Sequence, residues 1–174
     1  GNVAAVACQL AQERGGPDIA GQLLICPVTD SSFDRPSYAD NATGYFLTRA
    51  LMYWFWDIYC SPADRADPRV SPLRGKLGNL PPALVVTCEF DPLRDEGVAY
   101  AEALAAAGVP VEQIKARGHI HSSLMMVDVV ITGVGARAQM ANALRRFAGL
   151  PESKGESVGP GATAPLRQID AAAG

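Results

Sequence analysis

One stretch of this 174-residue chain limits the fold more than any other, because a buried strand, a helix and a second strand follow one another in it. Residues 83–88 are apolar except for Thr87, a pattern typical of a strand covered on both faces of a sheet. A helix is predicted over residues 95–107, capped near Asp95, and residues 109–116 alternate enough to form the next strand. Strands joined by helices form a parallel sheet with helices on its faces, so we predict an α/β fold.

Further elements are predicted on either side of this unit. Apolar residues at helical spacing indicate a first helix that stops at Gly15, and residues 22–27 contain a short apolar run of strand length. Residues 30–80 are irregular and contain many turn residues, with one helix that Thr48 can cap. A last helix is predicted over residues 131–147. The apolar residues on one of its faces are Val134, Ala138, Ala141 and Leu144.

Charge and composition argue against several functional classes. The chain has 15 Lys and Arg against 18 Asp and Glu, a net charge of −3, and its basic runs are no longer than a pair, so a nucleic-acid or anionic-membrane surface is not expected. Its apolar stretches fall far short of the roughly 18–20 residues that span a bilayer. The four cysteines include no C-x-x-C pair, which favours buried free thiols, a reducing compartment and a cytoplasmic location.

Two strand ends carry the candidate chemistry, since catalysts in open parallel sheets lie beyond the carboxyl ends of strands. Asp91 follows the buried strand, and Pro92 favours an extended conformation that projects its carboxylate; alternatively, Asp91 only caps the next turn. His119 and His121 follow the next strand, and neighbouring strands lie about 4.8 Å apart, so a histidine can pair with Asp91. Such a carboxylate orients a general base. The alternatives are a histidine without a role and a metal site, for which no further ligand is evident.

A nucleophile for this pair is harder to find. The one G-x-S-x-G sequence spans residues 155–159, within residues 151–174, whose content of Pro, Gly and small residues predicts a disordered tail. A working nucleophile turn needs a buried strand before the serine and a helix after it, and neither is predicted there. We therefore interpret Ser157 as a chance match.

Several segments together resemble one family over residues 1–150. The segments are Gly1-Asn2, Ser71-Pro72-Leu73, Leu80-Pro81-Pro82-Ala83-Leu84, Asp91-Pro92-Leu93-Arg94-Asp95-Glu96-Gly97, Tyr100-Ala101, Ala107-Gly108-Val109-Pro110-Val111 and Ile120-His121. The chain resembles the α/β-hydrolase superfamily, in its bacterial hormone-sensitive-lipase-like esterase branch. The resemblance implies the C-terminal portion of that fold, a mostly parallel sheet with helices on both faces.

The resemblance also implies a Ser-Asp-His triad in which this chain supplies Asp91 and His121, with no cofactor and no metal. Gly1-Asn2 match the end of the family's G-D-S-A-G-G-N motif, so the serine and the H-G-G-G oxyanion segment are expected upstream of Gly1. His119 falls where the family varies and is interpreted as a bystander. The family usually places Gly-Phe after the catalytic histidine, whereas this chain has Ser122-Ser123.

Substrate and partners follow from the same resemblance. Residues 30–80 correspond to a lid or pocket-wall segment, in which Tyr45, Phe46 and Trp54 are candidates for an acyl site, although aromatic residues are more often ordinary core. The expected function is hydrolysis of small, short-chain carboxylic esters by a lipase-like serine esterase. The expected partner is an N-terminal portion that carries the serine. The alternative is an inactive fragment or interaction module, which is expected to pair with a partner chain or with a second copy of itself through the uncovered edge of the strand in residues 22–27.

Overall fold

Three parallel strands form the centre of the fold in the computed structural model, which describes residues 1–153. The helices and strands are α1 (Asn2–Arg14), β1 (Gln22–Ile25), α2 (Pro36–Asp40), α3 (Arg49–Tyr59), β2 (Ala83–Phe90), α4 (Arg94–Ala106), β3 (Val111–Ile120) and α5 (Val134–Phe147). Short 3₁₀ turns lie at Pro62–Asp64, Pro72–Arg74, Ser123–Met125 and Ile131–Gly133. The α/β fold predicted from the strand–helix–strand pattern is confirmed.

The sheet has the order β1-β2-β3, and both pairs are parallel. Gln22 of β1 lies opposite Ala83 of β2, which in turn lies opposite Val111 of β3. Because β2 is central, its first six residues are buried, as their apolar run predicts. Within residues 1–153, β1 has a strand neighbour only on its β2 side.

Helices cover both faces of the sheet. On one face, Val85 of β2 packs in a core that includes Leu24, residues of α1 and Leu104 of α4. On the other face, Val86 packs with Met140 of α5 and Leu124. A third core of Tyr38, Leu47, Met52, Trp56 and Leu93 lies under the irregular segment that follows β1.

The last helix buries a different face from the one predicted. Val134 and Leu144 are 41% and 50% exposed, whereas Met140 and Ala143 are buried against the sheet. Alanines lie on several sides of this helix, so its apolar pattern does not select one face, and the larger Met140 side chain takes the core position.

The last strand is longer than predicted. β3 continues to Ile120, so His119 lies within the strand and only His121 follows it. Residues 112–115 and 117–118 are exposed or half-buried, which weakens the hydrophobic signal at this edge of the sheet.

The predicted tail at residues 151–174 lies almost entirely outside the described residues, as does the G-x-S-x-G sequence at 155–159. Over residues 1–153, no helix has both the length and the apolar character that crossing a membrane requires.

Candidate active site

The carboxyl ends of β2 and β3 bring Asp91 and His121 together. Each is the first residue after its strand, and His121 Nδ1 lies 2.8 Å from Asp91 Oδ2. The Asp91 side chain is 1% exposed and that of His121 is 21% exposed. The carboxylate is therefore shielded from water, while the imidazole still reaches the surface.

Asp91 divides its two oxygens between the turn and the histidine. Oδ1 accepts a hydrogen bond from the Leu93 N–H at 2.9 Å, which closes the turn before α4, and Oδ2 faces His121. The capping role and the pairing role are thus compatible. The prediction that Asp95 caps this helix was wrong: α4 begins at Arg94, and the Asp95 carboxylate instead accepts from the Ser37 N–H at 2.8 Å.

Residues in and directly after helix α2 form hydrogen bonds to the turn that contains Asp91. Ser37 Oγ donates to the Pro92 carbonyl at 2.6 Å and accepts from the Asp95 N–H at 3.2 Å. Asn41 Nδ2 donates to the Asp91 carbonyl at 3.2 Å. Ser37 and Asn41 are both buried, so these bonds have little competition from water.

The electrostatics of the pair favour a positively charged imidazole. Burial alone would lower the pKa of His121, but its hydrogen bond to the Asp91 carboxylate and its contact with Cys26 outweigh that effect and raise the pKa to about 9. A proton accepted at Nε2 is therefore stabilised by the carboxylate at Nδ1, which is what a general base requires.

Comparison with known proteins assigns the chain to a family. Residues 1–125 match the family model described as the alpha/beta hydrolase fold. The chain belongs to the α/β-hydrolase family.

Several of its relatives are esterases. The chain is 42% identical to the ethyl acetate hydrolase of Pseudomonas putida over 127 residues, which cover 72% of this chain and 40% of that protein. It is 37% identical to carboxylesterase NlhH of Mycobacterium tuberculosis over 151 residues, 84% of this chain and 47% of that one. The crystal structure of a thermostable esterase from Pseudomonas putida superposes with a TM-score of 0.80 at 45% identity, over 84% of this chain and 48% of that one. The chain thus spans less than half the length of these relatives.

The second histidine lies apart from the pair. His119 is buried within β3, and its Nδ1 lies 3.0 Å from Ser123 Oγ. The resemblance implies glycine at the position of Ser122, and the φ of Ser122, 58°, lies in the left-handed region that favours glycine. The turn after His121 therefore keeps a glycine-like backbone despite the Ser122-Ser123 sequence.

A buried glutamate, Glu96, ties the first turn of α4 to the segments that follow β1. Glu96 Oε1 accepts from the Thr29 N–H at 2.6 Å, and Oε2 accepts from the Tyr38 hydroxyl at 3.0 Å. Burial raises the pKa of Glu96 to about 8, against the opposing effect of these two hydrogen bonds. Glu96 thus links the end of β1 and helix α2 to the helix that starts at the Asp91 turn.

Cys26 is a site residue that the sequence did not single out. It follows β1 with a φ of 44°, and its Sγ lies 3.5 Å from Cys88 Sγ. Cys26 Sγ, a carboxylate oxygen of Asp91 and a ring nitrogen of His121 lie within 4.8 Å of one another. Cys26 is far from both in sequence, and the only available signal was its position at a third strand end.

The three aromatic candidates lie in different surroundings. The ring of Tyr45 stacks on the ring of Phe90, with centroids 4.8 Å apart. Phe90 is the residue directly before Asp91. Phe46 and Trp54 are 65% and 55% exposed. An apolar groove of about 370 Å³ lies between α3 and the start of α1. Its lining residues are Asn2, Val3, Val28, Met52, Phe55, Trp56, Ile58 and Tyr59.

Proposed function

We propose that this chain supplies the general base and the orienting carboxylate of a serine carboxylic-ester hydrolase. The observation that carries the proposal is the 2.8 Å contact between His121 Nδ1 and the buried Asp91 carboxylate, at adjacent strand ends. The esterase relatives support ester hydrolysis as the reaction. The attacking serine and the oxyanion donors come from the N-terminal portion that the family motif places before Gly1.

The reaction follows from the orientation of the imidazole. With a proton on Nδ1 shared with Asp91, the Nε2 lone pair accepts the serine proton as the serine oxygen attacks the ester carbonyl. The imidazolium then protonates the departing alcohol, leaving an acyl-enzyme. A water molecule then attacks the acyl carbonyl and gives its proton to Nε2, and the imidazolium passes that proton to the serine oxygen as the carboxylic acid leaves. The Asp91 carboxylate stabilises the imidazolium in both halves of the reaction.

The substrates we propose are small, short-chain esters. One relative is an ethyl acetate hydrolase, and the groove beside α3 is lined mostly by apolar side chains. Tyr45, Phe46 and Trp54 remain candidates for contacts with the acyl group. Of these, Tyr45 has the strongest support, because its ring packs on Phe90 next to Asp91.

The test compares the two histidines in a protein that joins this chain to its serine-bearing portion. We expect His121→Ala to lower kcat by about 10⁶-fold with a small change in KM, because a triad base acts in the transition state. His119→Ala is the matched control, since His119 contacts Ser123 rather than Asp91, and it should retain most of the activity. Equal losses in the two variants would overturn the assignment.

A non-catalytic interaction module is the second candidate. It is favoured by β1, which within residues 1–153 has a strand neighbour on one side only, and by the exposed aromatic face of α3. The purified 174-residue chain should be assayed by intact mass, size and p-nitrophenyl acetate turnover. A folded, monodisperse and inert chain supports the module, whereas activity that co-purifies with an N-terminal polypeptide supports the hydrolase.

A further inference from the structure

Three different metal-ligand types meet at one edge of the sheet. The ends of β1, β2 and β3 place Cys26, Asp91 and His121 so that one sulfur, one oxygen and one nitrogen lie within 4.8 Å of one another. Cys26 and Asp91 are 5% and 1% exposed, while the partly exposed imidazole leaves an approach from solvent. The group is a mixed thiol, carboxylate and imidazole cluster, the set of donors that zinc takes in proteins.

The three donor atoms can reach one tetrahedral cation after side-chain movements, because the 2.8 Å hydrogen bond between Asp91 Oδ2 and His121 Nδ1 must open to about 3.3 Å and the sulfur must move closer to the ring. Zinc binds sulfur at about 2.3 Å and nitrogen at about 2.0–2.1 Å, which separates these two ligand atoms by about 3.6 Å. The sulfur of Cys26 and the ring nitrogen of His121 are at most 4.8 Å apart, so they must approach each other by at most about 1 Å to reach that value. The imidazole, at 21% exposure, has the room to make it.

We infer that Cys26, Asp91 and His121 form a binding site for a thiophilic divalent cation such as zinc, with water as the fourth ligand. Binding releases two protons: the Cys26 S–H bond breaks as a sulfur–metal bond forms, an N–H bond of the His121 imidazolium breaks as a nitrogen–metal bond forms, and both protons leave to solvent. No electron is transferred. In the metal-free chain the neutral thiol donates to Cys88, with the two sulfur atoms 3.5 Å apart. Affinity should therefore fall as pH falls, since protons compete with the metal for the sulfur.

Occupation of this site would also inhibit the proposed hydrolase. A metal bound by these three residues occupies the imidazole and the carboxylate that the proposed reaction needs, so zinc should inhibit ester hydrolysis. This consequence rests on the proposed function. The binding itself does not, and it is measured without an assay of activity.

The experiment titrates the reduced 174-residue chain with Cd²⁺, read by the ultraviolet charge-transfer band of cadmium–thiolate bonds, and with Zn²⁺ by calorimetry. We expect one thiolate-bound metal per chain. Cys26→Ser should abolish the band, and His121→Ala should weaken zinc affinity at least about tenfold. Cys60→Ser is the matched control, because Cys60 is a half-buried free cysteine at the end of α3, and it should leave both signals unchanged.

Each alternative gives a distinct result. A band that survives in Cys26→Ser, or that disappears equally in Cys60→Ser, overturns the site. Unchanged zinc affinity in His121→Ala also overturns it, because the metal would then bind the Cys26–Cys88 pair alone. Far-ultraviolet circular dichroism on every variant separates loss of binding from loss of fold.

Discussion

At the residue scale, the charge on Asp91 sets the pH range in which His121 is neutral and can act as the base of the proposed hydrolase. The imidazole must be neutral to accept a proton, and its pKa of about 9 means that kcat/KM should rise with pH toward that value. Asp91→Asn keeps an oxygen for the Leu93 N–H but removes the charge, so the rise should move to lower pH and the plateau should drop about 10⁴-fold. The pH–rate profile of the serine-complete protein measures both effects.

Asp95→Asn is the control for this profile. Its carboxylate faces Ser37 and Arg94 rather than His121, so the alkaline rise should stay in place. A profile for Asp91→Asn that keeps the position of the parent protein would show that Asp91 does not set the ionisation of the base.

Glu96 makes stability depend on pH in a predictable direction. Its pKa is raised from 4.5 to about 8, so between these values the folded protein keeps a proton that the unfolded chain releases. The free energy of unfolding contributed by Glu96 is fully present below about pH 4.5 and is lost as pH rises through about 8. Glu96→Gln cannot ionise and should flatten this part of the stability curve, measured by urea unfolding across the pH range.

A matched substitution in the same helix checks the effect. Glu102 is exposed on α4, so Glu102→Gln should leave the slope as it is in the parent chain. If the Glu96→Gln curve runs parallel to the parent curve, the raised pKa does not exist.

At the element scale, α2 braces the turn that carries Asp91. Ser37→Ala removes a donor to the Pro92 carbonyl and an acceptor for the Asp95 N–H, both in a buried setting. We expect a loss of about 1–3 kcal/mol in unfolding free energy, measured by urea denaturation. Activity of the serine-complete protein should fall as well, because the turn positions the carboxylate.

Ser32→Ala provides the comparison for this brace. The Ser32 hydroxyl bonds only locally, to Asp34, so its removal should cost little. Similar losses for the two serines would mean that α2 does not hold the turn.

The elements that could be predicted from the sequence are those with a strong burial pattern. β2 is buried on both faces, so its apolar run was unambiguous, and parallel strands that end at one edge made an Asp91–His121 approach predictable. The buried face of α5 could not be predicted, because alanines lie on several sides of this helix. The residue at which β3 ends could not be predicted either, because a half-exposed edge strand has a weak hydrophobic pattern.

The surroundings of the pair were less accessible to sequence reasoning. Asn41 and Cys26 reach Asp91 and His121 only through the packing of loops that follow β1. Local propensities and short-range spacing cannot predict these contacts, because the contacts depend on how distant segments of the chain pack together.

At the scale of the whole molecule, the described part of the chain exposes much apolar surface. Ile58 on α3 is 63% exposed beside the apolar groove. Exposed apolar patches and unpaired strand edges favour association, so the 174-residue chain should self-associate. Ile58→Glu should shift sedimentation toward the monomer without loss of helix content.

Val129→Glu is the control for association. Val129 is 78% exposed in the segment after β3, away from the groove, and a charge there should leave the sedimentation profile unchanged. A chain that is already monomeric, or an equal response to the two charges, would refute association through α3.

The division of the Asp91 oxygens has a consequence for how this protein evolves. One oxygen closes the turn into α4, and in the proposed hydrolase the other is needed only while His121 acts as the base. A descendant of that hydrolase that no longer hydrolysed esters would be released from selection on His121 but would still be constrained at position 91. We therefore expect inactive descendants to lose the histidine first and to keep Asp or Asn at position 91.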